Sequence, residues 1–202
     1  MFGFNKDQKR DFWRWLSAHR AQIHAEIKGP GAPTDHSWSI KELGRRLQLV
    51  DGGLVHEIGM ADDSTIELII SADGITEAFP AVIELVKSAP QLNGFKITAF
   101  RPRWPDDGLQ LQVAGQTITD ELLTYRLTAD GELLGLELFI DCDLDHEAQT
   151  MVGFLSLDQR LGEYDVATGL RWIEFSAGRP DDALPITQLA GDFDARRAAV
   201  AH

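Results

Sequence analysis

The chain opens with a helical period. From Asn5 to Lys28 the residues Phe12, Trp15, Leu16, His19, Ile23 and Ile27 recur at steps of three and four, which stacks them on one face of a helix. Gly29, Pro30, Gly31 and Pro33 break that pattern. Ser39, followed three residues later by Glu42, fits a capping box and predicts a second helix with Ile40, Leu43, Leu47 and Val50 as its buried stripe.

At Asp51-Gly52-Gly53 the period shortens. Val55 to Met60 and Thr65 to Ser71 read as two strands, the second alternating Ile66, Leu68 and Ile70 with polar positions, and Asp62-Asp63-Ser64 turns the hairpin between them. Ile75, Phe79, Val82, Ile83 and Val86 restore the helical step, with Pro80 tolerable near the helix start. After Asn93-Gly94, strands are expected at FKITAF, at LQLQVA, and on both sides of an Asp130-Gly131 turn in LTYRLTADGELLGLELFID. A helix with a broad apolar face including Leu144, Ala148, Met151 and Leu155 follows, then a strand near LRWIEF.

This order predicts an α+β fold, a mostly antiparallel sheet covered by helices, with an N-terminal helical segment. The expected organisation is a helical segment over 1–50 packed on an α+β body over 51–177, then a polar C-terminal arm over 178–202. No fixed-period repeat is evident.

Composition narrows the classes. A chain of 202 residues is long enough to bury roughly 70% of its unfolded surface, so a self-sufficient core is expected. No apolar run approaches the length that spans a bilayer. The N-terminus lacks a secretory pattern and Cys142 is the single cysteine, which together suggest a cytoplasmic protein. The net charge of −13 argues against a general nucleic-acid binder. Residues 1–28 nevertheless hold six basic and three acidic side chains, suited either to docking on the acidic remainder or to an anionic partner.

The stretch DCDLDHE places Asp141, Asp143 and Asp145 at alternate positions, like the first ligands of a calcium loop. His146 stands where that loop needs glycine, and Val152 where it needs glutamate. His146 and Glu147 have no accompanying zinc motif. Capping of the following helix is the simpler reading, and no metal or cofactor is expected. Cys142, between carboxylates, makes a poor thiolate, and His19 reads as a core or boundary residue. Nucleotide-binding and nucleophile-elbow motifs are missing. A serine, histidine and aspartate converging only in space would leave no such signature.

The segment FRPRW carries the main binding candidates. Strand alternation puts Arg101 in the row of Phe95, Ile97 and Ala99, so an inward row ends in a guanidinium that must meet a carboxylate or an anionic ligand. Arg103 and Trp104 add a second cation and a flat amphipathic surface. GEYDVATG, Gly162 to Gly169, reads as a glycine-bounded loop whose Glu163 and Asp165 are candidate partners of those arginines, or an acid–base pair.

The segment ISADGITEAFPAVIELVKSAPQLNGFKITAFRPR, with LGEYDVATG further on, resembles a family of bacterial proteins without an assigned activity, over roughly Phe12 to Phe175. The resemblance implies a bacterial source and transfers no catalytic residue. The expected function is a non-catalytic binding or interaction protein, with a protein partner or a second copy and with Trp13, Trp38 and Trp104 as contacts if exposed. The alternative is an enzyme or binder that holds a carboxylate or phosphate through Arg101 and Arg103, with Glu163 and Asp165 nearby.

Overall fold

The computed structural model describes residues 6–28, 37–104 and 108–200; the break at Gly29 to Pro33 lies outside them. Among the described residues, six helices and nine strands form an α+β architecture of open, mostly antiparallel sheets with a helix at the N-terminal end. The chain divides between Arg101 and Pro102 into two compact units. That division falls inside the span 51–177 expected as one body.

The first unit begins with α1 (Lys6–Lys28). Its apolar stripe is buried as the spacing predicts, through Phe12, Trp15, Leu16, Ile23 and Ile27. Trp13 joins them: it is 4% exposed, and its indole Nε1 donates to the Leu85 carbonyl and the Ser88 hydroxyl, both at 3.1 Å. It is therefore a core residue rather than a surface contact. In α2 (Trp38–Val50) the N-cap is Ser37, whose hydroxyl accepts from the Ile40 amide at 3.3 Å. Ser39 is buried at the second position of the helix, and Glu42 turns instead to Arg45 and Arg46, both at 2.7 Å. Leu43 and Leu47 anchor the helix in the core.

The strands β1 (Val55–Met60) and β2 (Ile66–Ser71) form the expected hairpin. Asp62 accepts from the amides of Ser64 and Thr65 at 2.7 and 2.8 Å, which explains the tight polar turn. After α3 (Phe79–Lys87), which has proline in its first turn, β3 (Phe95–Ala99) returns parallel to β2. The sheet order is β1-β2-β3.

The second unit starts with a two-stranded ribbon, β4 (Gln110–Val113) and β5 (Gln116–Thr119), and then repeats the same progression on a larger scale. The hairpin β6 (Leu123–Asp130) and β7 (Leu133–Ile140) is followed by α4 (His146–Leu161) and α5 (Glu163–Gly169). The chain then returns as β8 (Leu170–Ala177), parallel to β7. A short β9 (Leu184–Pro185) pairs with β6, giving the order β8-β7-β6-β9. The chain then runs into α6 (Leu189–Val200). Leu123, Tyr125, Leu134, Leu136, Leu138, Ile140, Val152, Leu157 and Phe193 build its core. The described part of the stretch 178–202 expected as a polar arm, residues 178–200, thus contributes a strand and a helix, because Ile186, Leu189 and Phe193 are apolar anchors among polar neighbours.

Each unit therefore contains a hairpin, a helical crossover and a strand parallel to the hairpin's second member. The register shows the correspondence residue by residue. Ile70 faces Ala99 in the first unit, and Ile140 faces Ala177 in the second. The next residue is left-handed in both, Phe100 at φ 62° and Gly178 at φ 99°, and its amide returns to the Ile70 or Ile140 carbonyl at 2.8 and 3.0 Å. An arginine and a proline follow in each case, so Ala99-Phe100-Arg101-Pro102 and Ala177-Gly178-Arg179-Pro180 are the same corner built twice.

Candidate functional site

Arg101 closes β3 but does not continue its inward row. The left-handed Phe100 breaks the alternation, buries its own ring against Phe79 at a centroid distance of 4.5 Å, and re-aims the next side chain. Arg101 Nε donates to Glu57 of β1, and Nη2 donates to Asp73 at 2.5 Å. Asp73 is itself left-handed, at φ 48°. Burial lowers the pKa of Arg101, but its hydrogen bonds to Glu57 and Asp73, and the charges of both, outweigh that and raise it. Among the described residues, one guanidinium between the two carboxylates of Glu57 and Asp73 leaves a net charge of −1. An added carboxylate or phosphate would be repelled there.

Arg103 belongs to the second unit and is held more completely. Its Nη1 and Nη2 take both oxygens of Asp194 at 2.9 and 2.8 Å, Nη2 also reaches Asp165 at 2.6 Å, and Nε donates to the Leu161 carbonyl at 2.8 Å. The hydrogen bond that Arg103 donates to Asp194 leads the causes that raise the arginine's pKa, and the same contact lowers that of Asp194. This is a fork that ties α6 to α5, with net charge −1 again.

Asp165 is thus the partner that the sequence pattern suggested for one arginine. Its surroundings are not a loop: Gly162, at φ 78°, separates two helices, and Glu163 is 1% exposed in the first turn of α5. Glycine is also required at the end of that helix, since a Cβ on Gly169 would lie 2.4 Å from the Phe193 ring. Trp104 donates its amide to the Gln159 carbonyl at 3.0 Å and leaves its ring 59% exposed. Trp38 is 52% exposed, with its ring beside Trp15 and His19.

In the acidic stretch, the Asp145 carboxylate accepts from the Ala148 amide at 2.8 Å and caps α4. The Asp143 carbonyl accepts from Gln116 at 2.8 Å, and Cys142 is half-buried against the same glutamine. Among the described residues, no three His, Cys, Asp or Glu side chains are placed to share a metal ion.

The pattern missed the outer face of α4. The helix buries Ala148, Val152, Gly153, Ser156 and Leu157, so Met151, Phe154 and Leu155 point outward at 50%, 45% and 46% exposure. Phe154 continues onto Phe175 of β8, edge to face at 5.1 Å, and Gly153 makes room for that ring. Glu147 and Asp158 bracket the stripe at helical spacing. The signal was present as a second apolar row in the same helix. Charge is distributed unevenly as well: residues 102–202 hold seven arginines, no lysine and nineteen acids, a net −12 of the chain's −13.

No helix among the described residues is long and apolar enough to cross a membrane. Comparison of the chain with protein-family models, with curated proteins and with solved structures finds no match.

Proposed function

We propose that this is a non-catalytic interaction module of the bacterial cytoplasm that docks a basic, amphipathic segment of a partner protein on the outer face of α4. The observation that carries the reading is the stripe Met151, Phe154 and Leu155, apolar, exposed and extended by Phe175, in a unit of net charge −12. Helix faces of this kind receive apolar anchors spaced at three and four residues. Glu147 at the N-terminal end of the stripe supplies an acid for lysine or arginine beside those anchors. A second copy brings the same excess of negative charge and is disfavoured, as is nucleic acid. The arginines Arg101 and Arg103 serve the scaffold in this reading, each spoken for by two carboxylates.

The test is fluorescence anisotropy with labelled amphipathic helical peptides, one lysine-rich and one glutamate-rich. The lysine-rich peptide binds, more weakly as salt rises, and Phe154→Asp weakens it roughly tenfold or more while lowering the melting temperature by only a few degrees, the share of the lost Phe175 contact. Equal binding of the acidic peptide, indifference to Phe154→Asp, or a dimer dissolved by that substitution would each overturn the proposal.

A further inference from the structure

The duplicated corner points to a second site. In the first unit its arginine is plugged by the protein's own acids, Glu57 and Asp73. In the second unit the plug is missing. Glu57 faces Ile69 across the hairpin, and the residue that faces Phe139 in the same position is Thr124, which carries no charge. Asp143 lies three residues beyond Ile140 as Asp73 lies beyond Ile70, but among the described residues no hydrogen bond or ion pair joins it to Arg179. Among the described residues Arg179 has no ion pair; its Nη1 donates to the Glu121 carbonyl at 2.8 Å.

Arg179 instead lines a cleft of about 380 Å³, together with Asp120, Glu121, Leu123, Pro185 and Thr187. That volume is within the range of small-molecule sites. The chemistry of the wall is mixed. Asp120 is already neutralised by Arg160 at 2.5 Å and accepts from the Leu109 amide at 3.2 Å. Glu121 and Arg179 remain as one negative and one positive group, both exposed, so the cleft is locally balanced. A bare anion would meet Arg179 but also Glu121 and a strongly acidic unit. A ligand with both signs satisfies both groups. Leu123 and Pro185 offer an apolar wall, and Thr187 a hydroxyl that donates or accepts.

We propose that the Arg179 cleft binds a zwitterionic amino acid with an apolar side chain. Its carboxylate takes the place on Arg179 that the Asp73 carboxylate occupies on Arg101, its ammonium lies toward Glu121, and its side chain lies against Leu123 and Pro185. The first unit thus displays, with its own aspartate, the contact that the second unit reserves for a ligand. This site is separate from the α4 face and does not depend on the docking of a partner there.

The experiment is an amide-resolved NMR titration of the full chain with leucine, N-acetyl-leucine and leucine amide. Leucine at millimolar concentration is expected to shift Leu123, Arg179 and Thr187, while blocking either end weakens it roughly tenfold, the usual scale for a lost charge-assisted hydrogen bond. Arg179→Ala abolishes the shifts, and Glu121→Gln restores binding of N-acetyl-leucine relative to leucine. Arg179 is exposed, so its replacement leaves the fold intact, and an unchanged amide spectrum elsewhere verifies this. The absence of shifts with all three compounds, equal shifts with all three, or leucine shifts that survive Arg179→Ala would each overturn the assignment.

Discussion

Gly169→Ala tests whether α6 is part of the second unit's core or an appendage to it. Gly169 ends α5, and an added Cβ would lie 2.4 and 3.0 Å from two carbons of the Phe193 ring and 2.6 Å from Arg197 Nη1. Arg197 is long enough to swing aside. Phe193 is 2% exposed and is not. Carbon atoms rest about 3.5–4.0 Å apart, so the ring or α6 must retreat by about 1 Å. Overpacking of this kind costs about 1–3 kcal/mol. The less flexible unfolded chain returns about 0.4–1 kcal/mol. A net loss of about 1–2 kcal/mol corresponds to a melting temperature lower by about 2–8 °C in a chain of this size. Thermal unfolding followed by circular dichroism measures it, together with Phe193→Leu and the double variant. Removing the outer ring atoms should erase the alanine penalty in the double variant. An unchanged melting temperature for Gly169→Ala, or a penalty that persists beside Phe193→Leu, would refute the packing argument.

Three further outcomes are expected. Arg160→Ala strands Asp120 beneath a side chain only 5% exposed, and the urea midpoint should fall by the equivalent of about 3 kcal/mol, toward the lower end for a broken buried pair because Asp120 is partly solvated; a loss no larger than that of a surface arginine would contradict it. Asp194 is held below its ordinary carboxyl range by Arg103, so its contribution is present above the unfolded pKa of about 3.9 and lost as pH falls through the lower folded value. The stability gap between wild type and Asp194→Asn, under about 1 kcal/mol given its exposure, should therefore be full near neutrality and close in acid, as denaturant midpoints at several pH values will show. Asp145→Ala should cost about 1 kcal/mol as a lost N-cap while Asp145→Asn costs little, and equal losses in melting experiments would exclude the capping role.

Much of the fold was legible because a regular apolar row announces its element. The stripe of α1 and the alternation of Ile66, Leu68 and Ile70 are both buried, although β2 also covers Ile69 and Ser71 on its other face. Helix α4 offers two rows: Val152 and Leu157 compete with Met151 and Leu155, and only the surrounding sheet decides which row is covered. Phe100 was opaque for a different reason, since a left-handed phenylalanine has no mark in the sequence, and the expected direction of Arg101 failed with it. Helix α5 hid as a loop because seven residues, the last of them glycine, are too few to show a period. The duplication escaped detection because Ile140 follows Ile70 by 70 residues while Ala177 follows Ala99 by 78, the added length lying in the crossover. Of the candidate site, Arg103 and Asp165 were paired correctly, whereas Arg179 became visible only through register.

The segregation of cation types has a practical consequence. Every lysine of the chain precedes Arg101, so amine-reactive dyes, cross-linkers and surfaces address the first half alone. Enzymes that acylate or conjugate lysine face the same restriction. A sensor chip coupled through amines would therefore hold the molecule by its first half, with the face of α4 chemically untouched.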